Sequence, residues 1–110
     1  LDVVLLSVGG ISTLTTSYRT GHITEAERRS LIGAGAVGDV LYNFIAEDGA
    51  PVPHEVNARV ISADLARLRR CPERVLISGG QEKRLALRAA MRTLNPTTLI
   101  TDEQTARSLV

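Results

Sequence analysis

The sequence predicts a three-layer α/β fold built on a mainly parallel sheet, and three observations carry that expectation. Short apolar runs at Val3-Val4-Leu5-Leu6, Val75-Leu76-Ile77 and Leu99-Ile100 have the length and composition of strands buried on both faces. Capped helical stretches separate the later runs, so consecutive strands should be joined by right-handed crossovers and lie parallel. Two of the runs end at glycine pairs, Gly9-Gly10 and Gly79-Gly80, and the third at Thr101-Asp102. Glycine and polar turns at the carboxyl edge of such a sheet are where open α/β folds hold their ligands.

The first element is a strand over residues 2–8, leading into Gly9-Gly10. The following stretch, Ile11 to Ser17, is rich in hydroxyls and poor in helix formers and reads as a loop. Thr24-x-x-Glu27 is a capping box, and the helix it opens should end near Gly33. Residues 40–45 are β-prone. Asp48-Gly49 is a hairpin signal, with Val52 on the returning arm. Ser62 is expected to cap a short helix ending in Arg67-Leu68-Arg69-Arg70, where cations suit the negative helix end, and Pro72 stops it. A strand at 74–78, a helix at 82–94, a strand at 97–101 and a last helix to the end complete the pattern. The first run starts without a cap and the last helix stops without one. The few helices are too short to cover both sheet faces, so the chain reads as a partial domain.

Composition narrows the function classes. The net charge of +1 lacks the basic surplus of a nucleic-acid-binding surface. No apolar run is long enough for a membrane span. A single cysteine, Cys71, allows neither an internal disulfide nor a thiolate metal cluster. With no Trp, an aromatic platform for stacked bases or flat sugars is not expected.

The helix after Gly80 places Lys83, Ala86, Leu87, Ala90, Met91 and Leu94 on one arc, the face that should meet the sheet. Arg84, Arg88 and Arg92 take the neighbouring arc as the solvated face, and Leu85 and Ala89 fit neither. Lys83 thus stands among apolar positions, one turn from Gly79-Gly80. The functional reading is an anion cradle, with main-chain N–H groups and one ammonium directed at a phosphate or sugar oxygen. The bland reading is a tight turn with a surface lysine. Gly9-Gly10 invites the same pair of readings. Asp39 is suited to sugar hydroxyls but is equally ordinary in a turn.

Other motifs carry less. Gly33-Ala34-Gly35-Ala36-Val37-Gly38 matches the spelling of a dinucleotide fingerprint but follows a helix and enters a strand, the reverse of the required context. It reads as a helix exit followed by tight packing. Asp102 and Glu103 are explained as acidic residues at a helix start. His22 and His54 lack partners at metal-ligand spacing, Cys71 reads as a packing residue, and no nucleophile motif is present. Neither a metal nor a cofactor is expected.

Val8-Gly9-Gly10, Gly35-Ala36-Val37-Gly38-Asp39, Asp48-Gly49, Ser78-Gly79-Gly80-Gln81-Glu82-Lys83 and Thr101-Asp102-Glu103-Gln104-Thr105-Ala106 run in order through nearly the whole chain. Together they resemble the second half of the effector-binding domain of SorC-family sugar-binding transcriptional regulators, a family that includes deoxyribonucleoside and central-glycolysis repressors. The resemblance implies a Rossmann-like fold related to sugar-phosphate isomerases and glucosamine-phosphate deaminases. It implies a phosphorylated sugar as effector, control of operator DNA binding by a helix-turn-helix domain outside this chain, homo-oligomers, and a cytoplasmic location away from membranes. Carried over, Asp39 contacts sugar hydroxyls, Gly79, Gly80 and Lys83 hold the effector, and Gly9 and Gly10 line the same crevice. Residues 1–110 are then the C-terminal portion of the effector domain. Ser7 and Ser78 depart from the family pattern, where Gly and Ala are usual.

The rival reading is an enzyme of the related isomerase or deaminase folds using Lys83 as an amine nucleophile. No His or Glu is placed as the acid–base partner that such chemistry needs, which favours a non-catalytic sensor. A third reading is an assembly domain carrying oligomer contacts.

Overall fold

The computed structural model describes residues 2–12 and 21–109. In chain order the elements are β1 (Val3–Leu6), α1 (Glu25–Gly33), β2 (Ala36–Val40), β3 (Asn43–Ala46), α2 (Glu55–Arg59) and α3 (Leu65–Arg69). Then come β4 (Glu73–Ile77), a 3-10 turn (Gln81–Lys83) running into α4 (Arg84–Leu94), β5 (Thr98–Ile100) and α5 (Glu103–Leu109). The three apolar runs form one sheet in the order β1-β4-β5, parallel throughout, with Leu6 beside Leu76 and Leu76 beside Leu99. β2 and β3 form a separate antiparallel ribbon. This is the mixed α/β architecture with a mainly parallel sheet that the sequence predicts.

Packing explains which residues are inside. Leu6, Leu76 and the partly buried Leu99 meet Ala86, Leu87, Ala90 and Leu94 of α4, while Val40 and Ile45 of the ribbon close over the same helix. α4 is therefore covered on two sides, which is why Ala89, outside the single apolar arc, is fully buried. A second cluster, Ile23, Leu31, Ala36, Phe44, Val52 and Val56, fills the space between the ribbon, α1 and α2. The opposite side of the parallel sheet is bare among the described residues: Val3, Leu5, Ile77 and Ile100 are all exposed. The helices were expected to be too few to cover both faces of these apolar strands, and only one face has a covering layer among the described residues.

Local chemistry sets the element ends. The capping box is formed: Glu27 N–H donates to Thr24 Oγ1 at 3.1 Å and Thr24 N–H to Glu27 Oε1 at 2.9 Å. α1 runs to Gly33, and Gly35 turns the chain at φ +100° into β2, so the glycine run is a helix exit. The turn at Asp48-Gly49 brings Val52 back, its N–H donating to Phe44 O at 3.0 Å.

Three local expectations need correction. The β-prone stretch at 40–45 is interrupted by a two-residue turn, with Leu41 and Tyr42 at φ 50° and 64°. Ser62 does not cap a helix. Asp64 does, accepting Ala66 N–H at 3.0 Å, and the Ser62 hydroxyl accepts from Asn43 Nδ2 at 3.0 Å. α2, capped by His54, is an additional helix. Arg88 is half-buried and donates from Nη2 to Ser108 O at 3.1 Å, so it ties α4 to α5 and is no solvated-face residue. The hydroxyl-rich loop lies outside the described residues beyond Ser12.

Candidate functional site

The carboxyl ends of the three parallel strands open side by side. Gly9 follows β1, and its backbone pairs reciprocally with Asp39 of β2: Gly9 N–H to Asp39 O and Asp39 N–H to Gly9 O, both 2.9 Å. That exchange pins the ribbon to the end of the sheet. A Cβ at position 9 would overlap Asp39 Oδ1, so only glycine lets this carboxylate lie across the strand end. Gly10, the next residue, is buried. Ser78, after β4, holds the neighbouring strand end through Oγ to Val8 O at 3.5 Å.

Asp39 is the buried acid of the site, 8% exposed. Oδ2 accepts the Tyr42 N–H at 2.9 Å. Burial pushes its carboxyl above the usual range, against the opposing pull of the Tyr42 N–H and of the Lys83 charge. Lys83 therefore lies within electrostatic reach of Asp39, yet the two form no ion pair at contact distance among the described residues. Asp39 offers an acceptor and Lys83 a cation in the same region of the strand ends.

Gly79 and Gly80 form the turn between β4 and Lys83. Gly80 has φ +102°, its carbonyl accepts the Lys83 N–H at 3.1 Å, and its own N–H is bound by Asp102 Oδ2 at 3.0 Å and Thr105 Oγ1 at 3.2 Å. That N–H is committed within the protein, so the contribution of Gly80 to a site lies in the shape of the turn and the placement of Lys83. Thr101 Oγ1, at the end of β5, is buried without a hydrogen-bond partner among the described residues.

The structure thus joins Gly9 and Asp39 directly, leaves Lys83 close enough for its charge to be felt at Asp39, and carries Gly79 and Gly80 on the adjacent strand end. Sequence reasoning missed Asp102 and Thr105 as partners of the glycine turn, because an acidic helix start looks the same whether or not its second oxygen is used elsewhere. A cleft of about 610 Å³ lies beside the site, between α1, β2 and residues 81–85, lined in part by Arg28, Gln81, Glu82 and Arg84. None of the six anticipated residues lines it. Arg28 there is engaged by Glu25 and by Ile11 O.

The histidines serve structure. His54 Nδ1 accepts Val56 N–H at 3.0 Å and its Nε2 meets Ser30 Oγ at 2.8 Å; His22 packs edge-on against Tyr42. Cys71 is buried, with Sγ 3.4 Å from Glu73 O. No helix among the described residues is long and apolar enough to cross a membrane.

A parallel sheet with a buried carboxylate, a lysine and glycine turns at its strand ends is the arrangement of an α/β domain of the class that holds ligands at its strand ends. A family model described as "Putative sugar-binding domain" matches residues 1–110. The transcriptional regulator LsrR of Klebsiella pneumoniae is 33% identical over 99% of this chain and 35% of its own length. A DeoR family transcriptional regulator from Listeria monocytogenes superposes with a TM-score of 0.94 at 24% identity, over 100% of this chain and 44% of that one. The full-length sorbitol operon regulator SorC from Klebsiella pneumoniae superposes with a TM-score of 0.86 at 24% identity, over 99% and 35%. The chain belongs to the sugar-binding domain family of SorC-type transcriptional regulators, and it spans about a third of the length of the curated relatives it matches.

Proposed function

We propose that this chain is the C-terminal portion of an effector-sensing domain that binds a phosphorylated sugar and thereby alters operator binding by a helix-turn-helix domain elsewhere in the regulator. The observation that carries the reading is the buried Asp39 carboxylate, held at the strand end by the reciprocal backbone bonds to Gly9 that only a glycine there allows, with the Lys83 charge close enough to act on it. A carboxylate accepts from sugar hydroxyls, and a lysine serves as a point charge for phosphate. Gly79 and Gly80 set the turn that leads into Lys83, and Gly10 follows Gly9 at the end of β1. The role is sensing without catalysis, in a cytoplasmic homo-oligomer. It is supported by relatives named as transcriptional regulators and by histidines that are engaged in capping and packing.

Calorimetric titration of the full-length regulator with matched pairs of sugars and their phosphate esters tests this. A phosphate ester that binds while its parent sugar does not, and that weakens operator binding or strengthens it, is the expected result. Equal binding of both members of every pair, or turnover of the ester, would overturn it.

A further inference from the structure

Asp102 does more than start α5. Its Oδ1 accepts Thr105 N–H at 2.8 Å, the ordinary capping bond. Its Oδ2 is turned out of the helix, accepting Gly80 N–H at 3.0 Å and the Thr105 hydroxyl at 2.8 Å. Thr105 is fully buried, and its Oγ1 also receives the Gly80 N–H, at 3.2 Å. A Cβ on Gly79 would overlap Asp102 Oδ2, so the turn following β4 can approach the carboxylate only as glycine. The three donors hold the Asp102 carboxyl below the usual range, so it stays ionised and keeps accepting. Gly80 then passes the restraint on, because its carbonyl receives the Lys83 N–H. A carboxylate used only for capping would leave Oδ2 to water.

We propose that Asp102, with Thr105, is the positioning residue of the effector loop: it fixes the Gly79-Gly80 turn, and through Gly80 the entry of Lys83 into the crevice, without touching the effector. The proposal rests on the reading of this loop as the phosphate-holding one. It also gives the Asp102-x-x-Thr105 spacing a reason that helix capping alone does not supply, since the Thr105 hydroxyl is a second anchor for the same N–H.

The test uses the full-length regulator with two readouts: amide hydrogen exchange over residues 78–83 without ligand, and titration with inorganic phosphate as the probe. Asp102→Asn keeps an oxygen for Thr105 N–H and puts an amide donor against Gly80 N–H, so the cap survives while the turn is released. Exchange over 78–83 should accelerate, exchange elsewhere should stay as in the wild type, and phosphate affinity should fall about tenfold, the loss of one charge-assisted hydrogen bond. Thr105→Val should act in the same direction, and Thr105→Ser should restore both readouts. Lys83→Ala should weaken phosphate binding without changing exchange. Unchanged exchange in D102N overturns the proposal, as does faster exchange with wild-type affinity. Failure of the wild type to take up phosphate, or wild-type uptake by K83A, overturns the phosphate reading, and the positioning role falls with it.

Discussion

Burial works against Asp39, and that cost is measurable. The folded-state carboxyl titrates above its ordinary value, so between the two values the folded protein binds more protons than the unfolded chain. Stability is then fully present below the ordinary value and falls as pH rises through the raised one. Asp39→Asn keeps an acceptor for the Tyr42 N–H and removes the buried charge. It should raise stability at neutral pH by roughly 0.5–2 kcal/mol, the range of single stabilising substitutions, with the gain shrinking as pH approaches 4. Urea unfolding of both proteins across pH checks this, and a pH-independent difference would refute it. The same variant should lose effector binding, a trade of function against stability. Lys83 carries the complementary prediction. Lys83→Ala should weaken a phosphorylated effector by roughly 1.5–3 kcal/mol, or tenfold to a hundredfold. Lys83→Arg should recover only part, because a planar fork replaces a point charge. Arg67→Ala, on an exposed turn of α3, is the control expected to do little. Equal affinities for K83A and R67A would return Lys83 to an ordinary surface lysine.

Among the elements, the β2–β3 ribbon holds the least favourable backbone. Its two-residue turn puts Leu41 and Tyr42 at positive φ, a geometry normally given to Asn-Gly and costing about 1–2 kcal/mol per ordinary residue. Asp39, the site carboxylate, braces that turn through the Tyr42 N–H. Replacing Leu41-Tyr42 by Asn-Gly should therefore stabilise the protein by about 1 kcal/mol after the glycine entropy cost. The urea midpoint reads this, and a lowered midpoint would show that the side chains of Leu41 and Tyr42 outweigh the strain. The ribbon also marks the limit of what the sequence discloses. α1, the exit at Gly33–Gly35 and the parallel strands were legible because capping pairs, glycines and apolar runs are local signals. The Leu41-Tyr42 turn was not, since nothing in those two residues favours a turn and the ribbon is imposed by packing against α4. The same division holds in the site. The helical phase grouped Lys83 with Ala86 and Leu87, but Lys83 ends the 3-10 turn and the α-helix starts at Arg84, a local tightening that residue periodicity does not signal. The second bond of Asp102 depends on β4 and β5 lying side by side.

At the scale of the whole chain, the parallel sheet has one packed face and one bare one. Val3 and Leu5 are 49% and 66% exposed and Ile77 and Ile100 are 43% and 51% exposed. The parallel register sets Ile77 beside Ile100 and Leu5 beside Val75, so these side chains form a continuous apolar strip and not scattered singles. Such a strip on a sheet is an association surface in water. Residues 1–110 by themselves should therefore self-associate, with a sedimentation coefficient that rises with concentration. Leu5→Lys, at the most exposed of these positions, should shift the population toward monomer and leave the far-UV spectrum unchanged, since a lysine there costs under about 0.5 kcal/mol of fold stability. In the longer regulator proposed above, where a further layer would cover the strip, the same lysine would be buried and should destabilise by several kcal/mol. A wild-type chain that stays monomeric across concentration, or a Leu5→Lys substitution equally harmless in both lengths, would mean that this face is built to stand in water.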